Sequence, residues 1–352
     1  MEAIQTQTPK LNLLHPIKIG GFCLLAAIAF PFSGTQAAEA PSSNGVAALR
    51  SKAEKGDARA QYSLGITYFD GEGVPKDEAK AVKWFRRAAE QGLADAQYSL
   101  GNCYAKGRGV PKDEVEAVKW YRKAAEQGLA RAQHLLGASY AFGEGVPKDE
   151  TEAVKWYHKA AEQGDVFAQL SLGSSYENGR GVPKDKAVAI KWYHKAAEQG
   201  LADAQYFLGA SYAFGEGVPT DDAEAVKWYR KAAEQGLAAA QYSLGISYFK
   251  GEGVPKDEAL AVKWYRKAAE QGLADAQLGL GVFYAFGRGV PKDEVAAYKW
   301  LLLAGAQGDE TAKKQIEAIE RRLTGAQRAE GQRLAREWKP SKPNSEVKPG
   351  TK

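Results

Sequence analysis

Polar and apolar positions along residues 93–128, LADAQYSLGNCYAKGRGVPKDEVEAVKWYRKAAEQG, form two helical stripes separated by a turn. In the first stripe Ala96, Leu100, Gly101 and Tyr104 share one helix face, and in the second Ala117, Trp120, Ala124 and Ala125 do the same. Between them, Gly107-x-Gly109-Val110-Pro111 breaks the periodicity, since glycine permits positive φ and proline cannot continue a helix. Asp113 stands where a carboxylate can accept the free N–H groups of a first turn, and Gly128 stands where the second helix ends. The small residues let two helix axes approach. Leu100, Tyr104 and Trp120 fill the space between them.

The pattern recurs without insertion. Trp84, Trp120, Trp156, Trp192, Trp228, Trp264 and Trp300 lie 36 residues apart, and the turn prolines and terminal glycines keep the same phase. Seven units run from 57 to 308, and the tryptophans are expected to be structural. Such a repeat predicts an all-α chain, an α-solenoid of antiparallel helix pairs in which each unit buries its apolar face against its neighbours. Residues 46–56 read as an N-terminal capping helix and 309–338 as charged C-terminal capping helices. Residues 38–45 read as a linker and 339–352, rich in Pro and Lys, as a disordered basic tail.

The motif A-x-x-x-L-G-x-x-Y-x-x-G-x-G-V-P-x-D-x-x-x-A-x-K-W-x-x-x-A-A-x-Q-G closely resembles the Sel-one-like repeat (SLR) family of the tetratricopeptide (TPR) superfamily, over residues 57–308. The resemblance implies a right-handed superhelix that holds other proteins together, often at the bacterial envelope or as a ligand of host proteins. One branch of that family pairs cysteines within each repeat and is linked to penicillin binding. This chain lacks those cysteines, so that activity is not carried over.

Comparison of the seven copies with one another separates framework from variable positions. Within the first helix the offsets of Arg59, Tyr62, Ile66, Phe69 and Asp70 change most, and their spacing places them on one face, away from Ala60, Leu64 and Tyr68. In tetratricopeptide-like superhelices these offsets line the concave surface. The expected partner-binding stripe comprises Arg59, Tyr62, Phe69, Tyr98, His134, Phe142, Phe167, Tyr206, Phe214, Tyr242, Phe249 and Phe286, because exposed aromatics supply large rigid contact area. Its charges are few and mixed, among them Asp95, Arg131, Asp203 and Asp275. The competing reading packs individual rings against the next repeat.

Charge excludes one partner class. The formal net charge is +5, and residues 311–352 hold eleven Lys/Arg against five Glu, so the repeats are near neutral. A nucleic-acid backbone needs a basic field that is not present here. At the N-terminus, Lys10, His15 and Lys18 precede the apolar run 19–32 and a small-residue stretch, the order of a cleaved signal peptide over 1–37. That run is shorter than the roughly 20 residues that cross a bilayer, so no transmembrane span is expected in the mature chain. Periplasmic or secreted localisation follows. Only Cys103 remains after such cleavage, so no disulfide framework is expected.

Chemical readings are weak. His158 and His194 occupy successive copies of one offset without further ligands in phase, which suits a solvated face better than a metal site. Asp113-Glu114 and its copies recur at helix starts, where capping explains them, and the Gly-x-Gly turns lack the strand and Gly-Lys-Ser/Thr of a phosphate loop. Cys103 substitutes for Thr, Ser or Phe and reads as a small core residue. The chain is therefore expected to be a non-enzymatic, monomeric scaffold with no cofactor and no metal, binding a protein or peptide of unknown identity. The alternatives are an enzyme of cell-wall or β-lactam chemistry, a secreted ligand of a host protein, and binding of the basic tail to anionic surfaces.

Overall fold

The computed structural model describes residues 43–341. The expected signal segment 1–37, the start of the linker and residues 342–352 of the tail lie outside the described residues. Among the described residues the elements are helices joined by turns, with no strand. They form two compact units that divide between Trp192 and Tyr193, inside one helix.

The N-terminal unit begins with α1 (Ser43–Glu54). Three helix pairs follow: α2 (Ala58–Asp70) with α3 (Glu78–Glu90), α4 (Ala94–Lys106) with α5 (Glu114–Glu126), and α6 (Ala130–Phe142) with α7 (Glu150–Glu162). The unit ends with α8 (Val166–Asn178) and the first half of α9 (Lys186–Glu198). The C-terminal unit takes the second half of α9. It continues with the pairs α10 (Ala202–Phe214) and α11 (Asp222–Glu234), α12 (Ala238–Lys250) and α13 (Glu258–Glu270), and α14 (Ala274–Phe286) and α15 (Glu294–Ala306). Two further helices, α16 (Glu310–Glu320) and α17 (Gly325–Glu337), close it.

Helix α1 opens at Ser43, inside the stretch expected to be a linker. Its buried side chain Val46 and half-buried Leu49 need a preceding turn to close their backbone bonds, so the helix starts ahead of its first packed residue.

The same local chemistry starts and stops each pair. Asp113 Oδ1 accepts from Glu116 N at 2.9 Å, and Asp77, Asp149, Asp221, Asp257 and Asp293 cap their helices in the same way. Each first helix with its C-cap described ends on a glycine in the left-handed region, for example Gly107 at φ 65°. The second glycine of the turn makes the joint between repeats. At Gly109 (φ 70°) an added Cβ would lie 2.2 Å from the Glu78 carbonyl oxygen at the start of the previous pair's second helix. Gly145, Gly181, Gly253 and Gly289 meet the preceding repeat likewise. Backbone touches backbone there, so only glycine fits.

Glutamines carry the polar side of the joint. Gln97 Nε2 donates to the Ala89 carbonyl, near the end of the previous helix, at 3.1 Å, while its Oε1 accepts from Gln127 Nε2 at 2.7 Å. Gln133 with Gln163, Gln205 with Gln235, and Gln241 with Gln271 repeat the arrangement. A buried carbonyl at a helix end is thereby satisfied. Arginines add a second clasp, as Arg122 Nη2 donates to the Tyr140 hydroxyl one pair on at 2.6 Å.

Trp120, Trp156, Trp192, Trp228 and Trp300 are buried; Trp84 and Trp264 are half-buried. Trp120 packs with Ala81, Phe85 and Ala88 of the preceding second helix, which the alanines allow to come close. The last pair departs from this pattern. Where other copies have Phe-Arg-Arg, Tyr-Arg-Lys or Tyr-His-Lys, α15 has Leu301-Leu302-Leu303, and its Tyr298 donates to Glu320 and touches Gly331 of α17. Trp338 meets Trp300 edge-on at 6.3 Å, so the added leucines lie under covering helices instead of water.

Candidate functional site

The stripe residues lie on the first helices of their pairs, and the structure divides them into three groups. Phe142, Phe214 and Phe286 are the last helical residues before their glycine caps and stand 48, 44 and 54% exposed. Among the described residues, Val115 is the other large hydrophobic side chain so exposed. Arg59 is exposed, and Tyr62, Phe167 and Phe249 are half-buried.

Phe69, Tyr98, His134, Tyr206 and Tyr242 are buried, which corrects the expectation that they present contact area. Their rings pack on the second helix of their own pair: Tyr98 on Tyr121 at 6.4 Å, Tyr206 on Tyr229 at 5.8 Å, Tyr242 on Tyr265 at 5.3 Å, and Phe69 on Phe85 at 6.2 Å. Tyr62 also meets Phe85, at 5.7 Å. A framework glycine makes room for that second-helix ring, since a Cβ at Gly101 would lie 2.6 Å from Tyr121. Variation at this offset is therefore variation of the core. His134 lies between Tyr157 at 5.8 Å and Phe167 at 6.1 Å, and burial pushes its imidazole pKa down.

Near the start of the same helices a charged offset differs between the units. In the N-terminal unit it reads Arg59, Asp95, Arg131 and Phe167. In the C-terminal unit it reads Asp203, Ala239 and Asp275, with the N-cap Asp309 one pair further on. Among the described residues no ion pair reaches Asp203, Asp275 or Asp309. Burial raises the carboxyl pKa of Asp203; burial first and then the Asp309 charge raise that of Asp275.

The remaining chemistry-bearing groups are separate. His158 pairs with Glu162 at 3.2 Å and meets Trp192 edge-on; His194 does the same with Glu198 and Trp228. Cys103 is buried, with its thiol pKa pushed up to about 12 by burial, so it holds little thiolate at neutral pH. Among the described residues no group of three or more His, Cys, Asp or Glu could hold a metal ion, and no helix is long and apolar enough to cross a membrane.

Sequence reasoning gave no role to three features of these surfaces. The joint glutamines fill one offset in all seven copies, a signal that hydrophobic periodicity cannot see. Phe283 takes an offset otherwise held by Thr, Cys or Ser and packs against Tyr265 at 5.2 Å. Gly279 replaces the Ser, Leu or Phe of other copies, and the room it leaves is visible only when the copies are compared at that offset.

A Sel1 repeat family model matches residues 58–93, 94–129, 130–165, 166–201, 202–237, 238–273 and 274–309. Among solved structures, a Sel1 repeat protein from Oxalobacter formigenes is 41% identical, covers 78% of this chain and 80% of its own, and superposes with a TM-score of 0.66. A protective antigen from uropathogenic Escherichia coli displaying an SLR fold is 34% identical over 84% of this chain and 79% of its own, with a TM-score of 0.43. No curated protein matches the chain.

Proposed function

Because the chain belongs to the Sel1 repeat family, a scaffold fold that binds protein partners, we propose that it is a non-enzymatic adaptor of the bacterial envelope. It binds one partner along the first helices of its repeats. The observation that carries this reading is the exposure of Phe142, Phe214 and Phe286 at one offset of the repeat, with Val115 the other large apolar side chain so exposed among the described residues. Exposed apolar side chains serve as anchors, and burial of each ring by a partner is worth about 1.5–3 kcal/mol. The signal-like N-terminus supports export to the periplasm or secretion.

The test is capture from envelope extract with the full chain and with a Phe142→Ser/Phe214→Ser/Phe286→Ser variant. These positions are exposed, so the variant is expected to fold, which replacement of Tyr206 or Tyr242 would not guarantee. Loss of one defined partner supports the reading. Equal recovery from both proteins sinks it.

A further inference from the structure

After its last helix the chain occupies one of its own surfaces. Trp338 leaves α17 in an extended conformation (φ −67°, ψ 139°), and Pro340 restricts Lys339 to the same region. The Trp338 indole meets Trp300 edge-on at 6.3 Å. An added Cβ at Gly272 would lie 3.6 Å from the Trp338 ring and 3.8 Å from Pro340. The Ser341 N–H donates to the Glu270 carbonyl at 2.7 Å. That carbonyl ends α13, where the helix itself offers no partner. An aromatic ring, a proline and a backbone N–H thus fill a seat made of a helix end, a bare glycine and the next pair's tryptophan.

The same seat recurs one repeat earlier in the C-terminal unit and stands open. At its glycine, Gly236, an added Cβ would meet nothing within 4 Å among the described residues. Its carbonyl, that of Glu234, takes no backbone N–H among the described residues. Its indole, Trp264, is half-buried, whereas Trp228 and Trp300 of the same unit are buried. A glutamine frames both seats alike: Gln307 Nε2 donates to the Gly272 carbonyl at 3.0 Å, and Gln271 Nε2 to the Gly236 carbonyl at 2.9 Å. One side chain differs. Leu303 and Trp338 pack on the same cluster in the filled seat, whereas Lys267 lies over the Trp264 ring at 4.4 Å in the open one. Lys267 is exposed, so its ammonium is free to rest on a second ring as well.

We propose that the Trp264 seat docks an extended segment of a partner protein that carries an aromatic residue two positions before a proline. The chemistry of this occupant is that of the chain's own Trp338–Ser341 on the matching seat. The partner's ring lies against Trp264, its proline over Gly236, and the following N–H donates to the Glu234 carbonyl. A segment stiffened by proline loses little conformational freedom on docking, and the ring supplies the buried area. A second copy of this chain is the weaker candidate, because its Trp338 is already engaged at home. The seat uses none of the exposed phenylalanines, so it stands or falls separately from their capture of a partner.

The test titrates a fluorescein-labelled Gly-Trp-Lys-Pro-Ser-Gly peptide with the full chain and follows anisotropy. Saturable binding is expected. Alanine in place of the peptide's tryptophan should weaken it about tenfold or more. N-methylation of the peptide's serine, which removes the donor N–H and keeps the side chain, should weaken it several-fold. Lys267→Leu copies the filled seat at an exposed position and should tighten binding several-fold. Lys231→Leu, at the matching offset beside the buried Trp228, should not. Thermal melts confirm that both variants are folded. Equal affinity for the peptide and its alanine version, or for wild type and Lys267→Leu, overturns the proposal. Binding that appears only after Trp338→Ala confines such segments to the Trp300 seat and overturns it too. Self-association of the full chain that Trp338→Ala abolishes, read by light scattering, makes the occupant a second copy and overturns the partner assignment.

Discussion

The two units are built from one repeat yet differ in how they treat the same polar offsets. In the N-terminal unit Arg59, Asp95 and Arg131 alternate in sign, and the Tyr121 hydroxyl donates to Asn102 while the Tyr98 and Ser99 hydroxyls are buried without a partner. In the C-terminal unit the offset holds Asp203 and Asp275, whose carboxyl pKa values burial raises, with the N-cap Asp309 one pair further on. Identical folding chemistry therefore carries different charge at one offset in the two units, and buried polar atoms without a partner occur in both, Tyr98 and Ser99 in the first and Trp228 in the second.

The joints set the baseline that both units share. Gly109→Ala and Gly289→Ala each force a Cβ to 2.2–2.3 Å from a carbonyl oxygen at φ near +65 to +70°. Each is expected to cost about 3 kcal/mol or more, measured by urea denaturation, since strain and backbone collision combine. A large inequality between the two would break the premise that the units are equivalent as scaffolds.

Next comes a paired removal of hydroxyls. Tyr121→Phe deletes a bond to the half-buried Asn102, so a loss of about 1 kcal/mol is expected. Tyr265→Phe deletes a hydroxyl that has no hydrogen bond among the described residues, and stability should hold or rise. Equal losses at both sites would show that the two hydroxyls are satisfied alike.

A third difference is readable in pH. His134 is buried with its pKa lowered, so the folded state holds it neutral. Its folded pKa lies below its unfolded value, so the unfolded chain binds the extra proton first. Stability is complete above the unfolded pKa of about 6.5 and is lost as pH falls through the folded value. His134→Tyr, the residue of most other copies, should flatten the melting temperature of the N-terminal unit between pH 7 and 5. An unchanged slope would place the acid sensitivity elsewhere.

The repeat was legible because packing repeats: Trp, Leu, Gly and Pro recur at 36 residues, and each marks a contact or turn that the structure contains. Caps at Asp113 and its copies were legible for the same reason, being local. The stripe was legible only in outline. Variability at the Tyr98 and His134 offset suggested a surface, but those rings answer to Tyr121 and Tyr157 across the pair. A helix wheel cannot show what a second helix covers. Phe142, Phe214 and Phe286 escaped covering because they stand at the last position before the turn. The triple leucine of α15 likewise makes sense only once Trp338 and α17 are seen to cover it.

The smallest predicted effect bears most directly on what the C-terminal unit is for. The folded Asp275 carboxyl has a pKa raised above its ordinary value, first by burial and then by Asp309. A raised carboxyl pKa stabilises the fold fully below the unfolded value of about 3.9, and that stability is lost as pH rises through the folded value. At neutral pH the ionised side chain is thus a net cost. Asp275→Asn should raise stability at pH 7 by up to about 0.5 kcal/mol, kept small by partial solvent screening, and the gain should shrink as pH approaches 4. Asp95→Asn, exposed and set between arginines, should show no such gain. A replacement that stabilises the free protein marks a side chain that the fold does not require. If Asp275→Asn instead destabilises the chain at pH 7, the carboxylate belongs to the scaffold and the two units are alike after all.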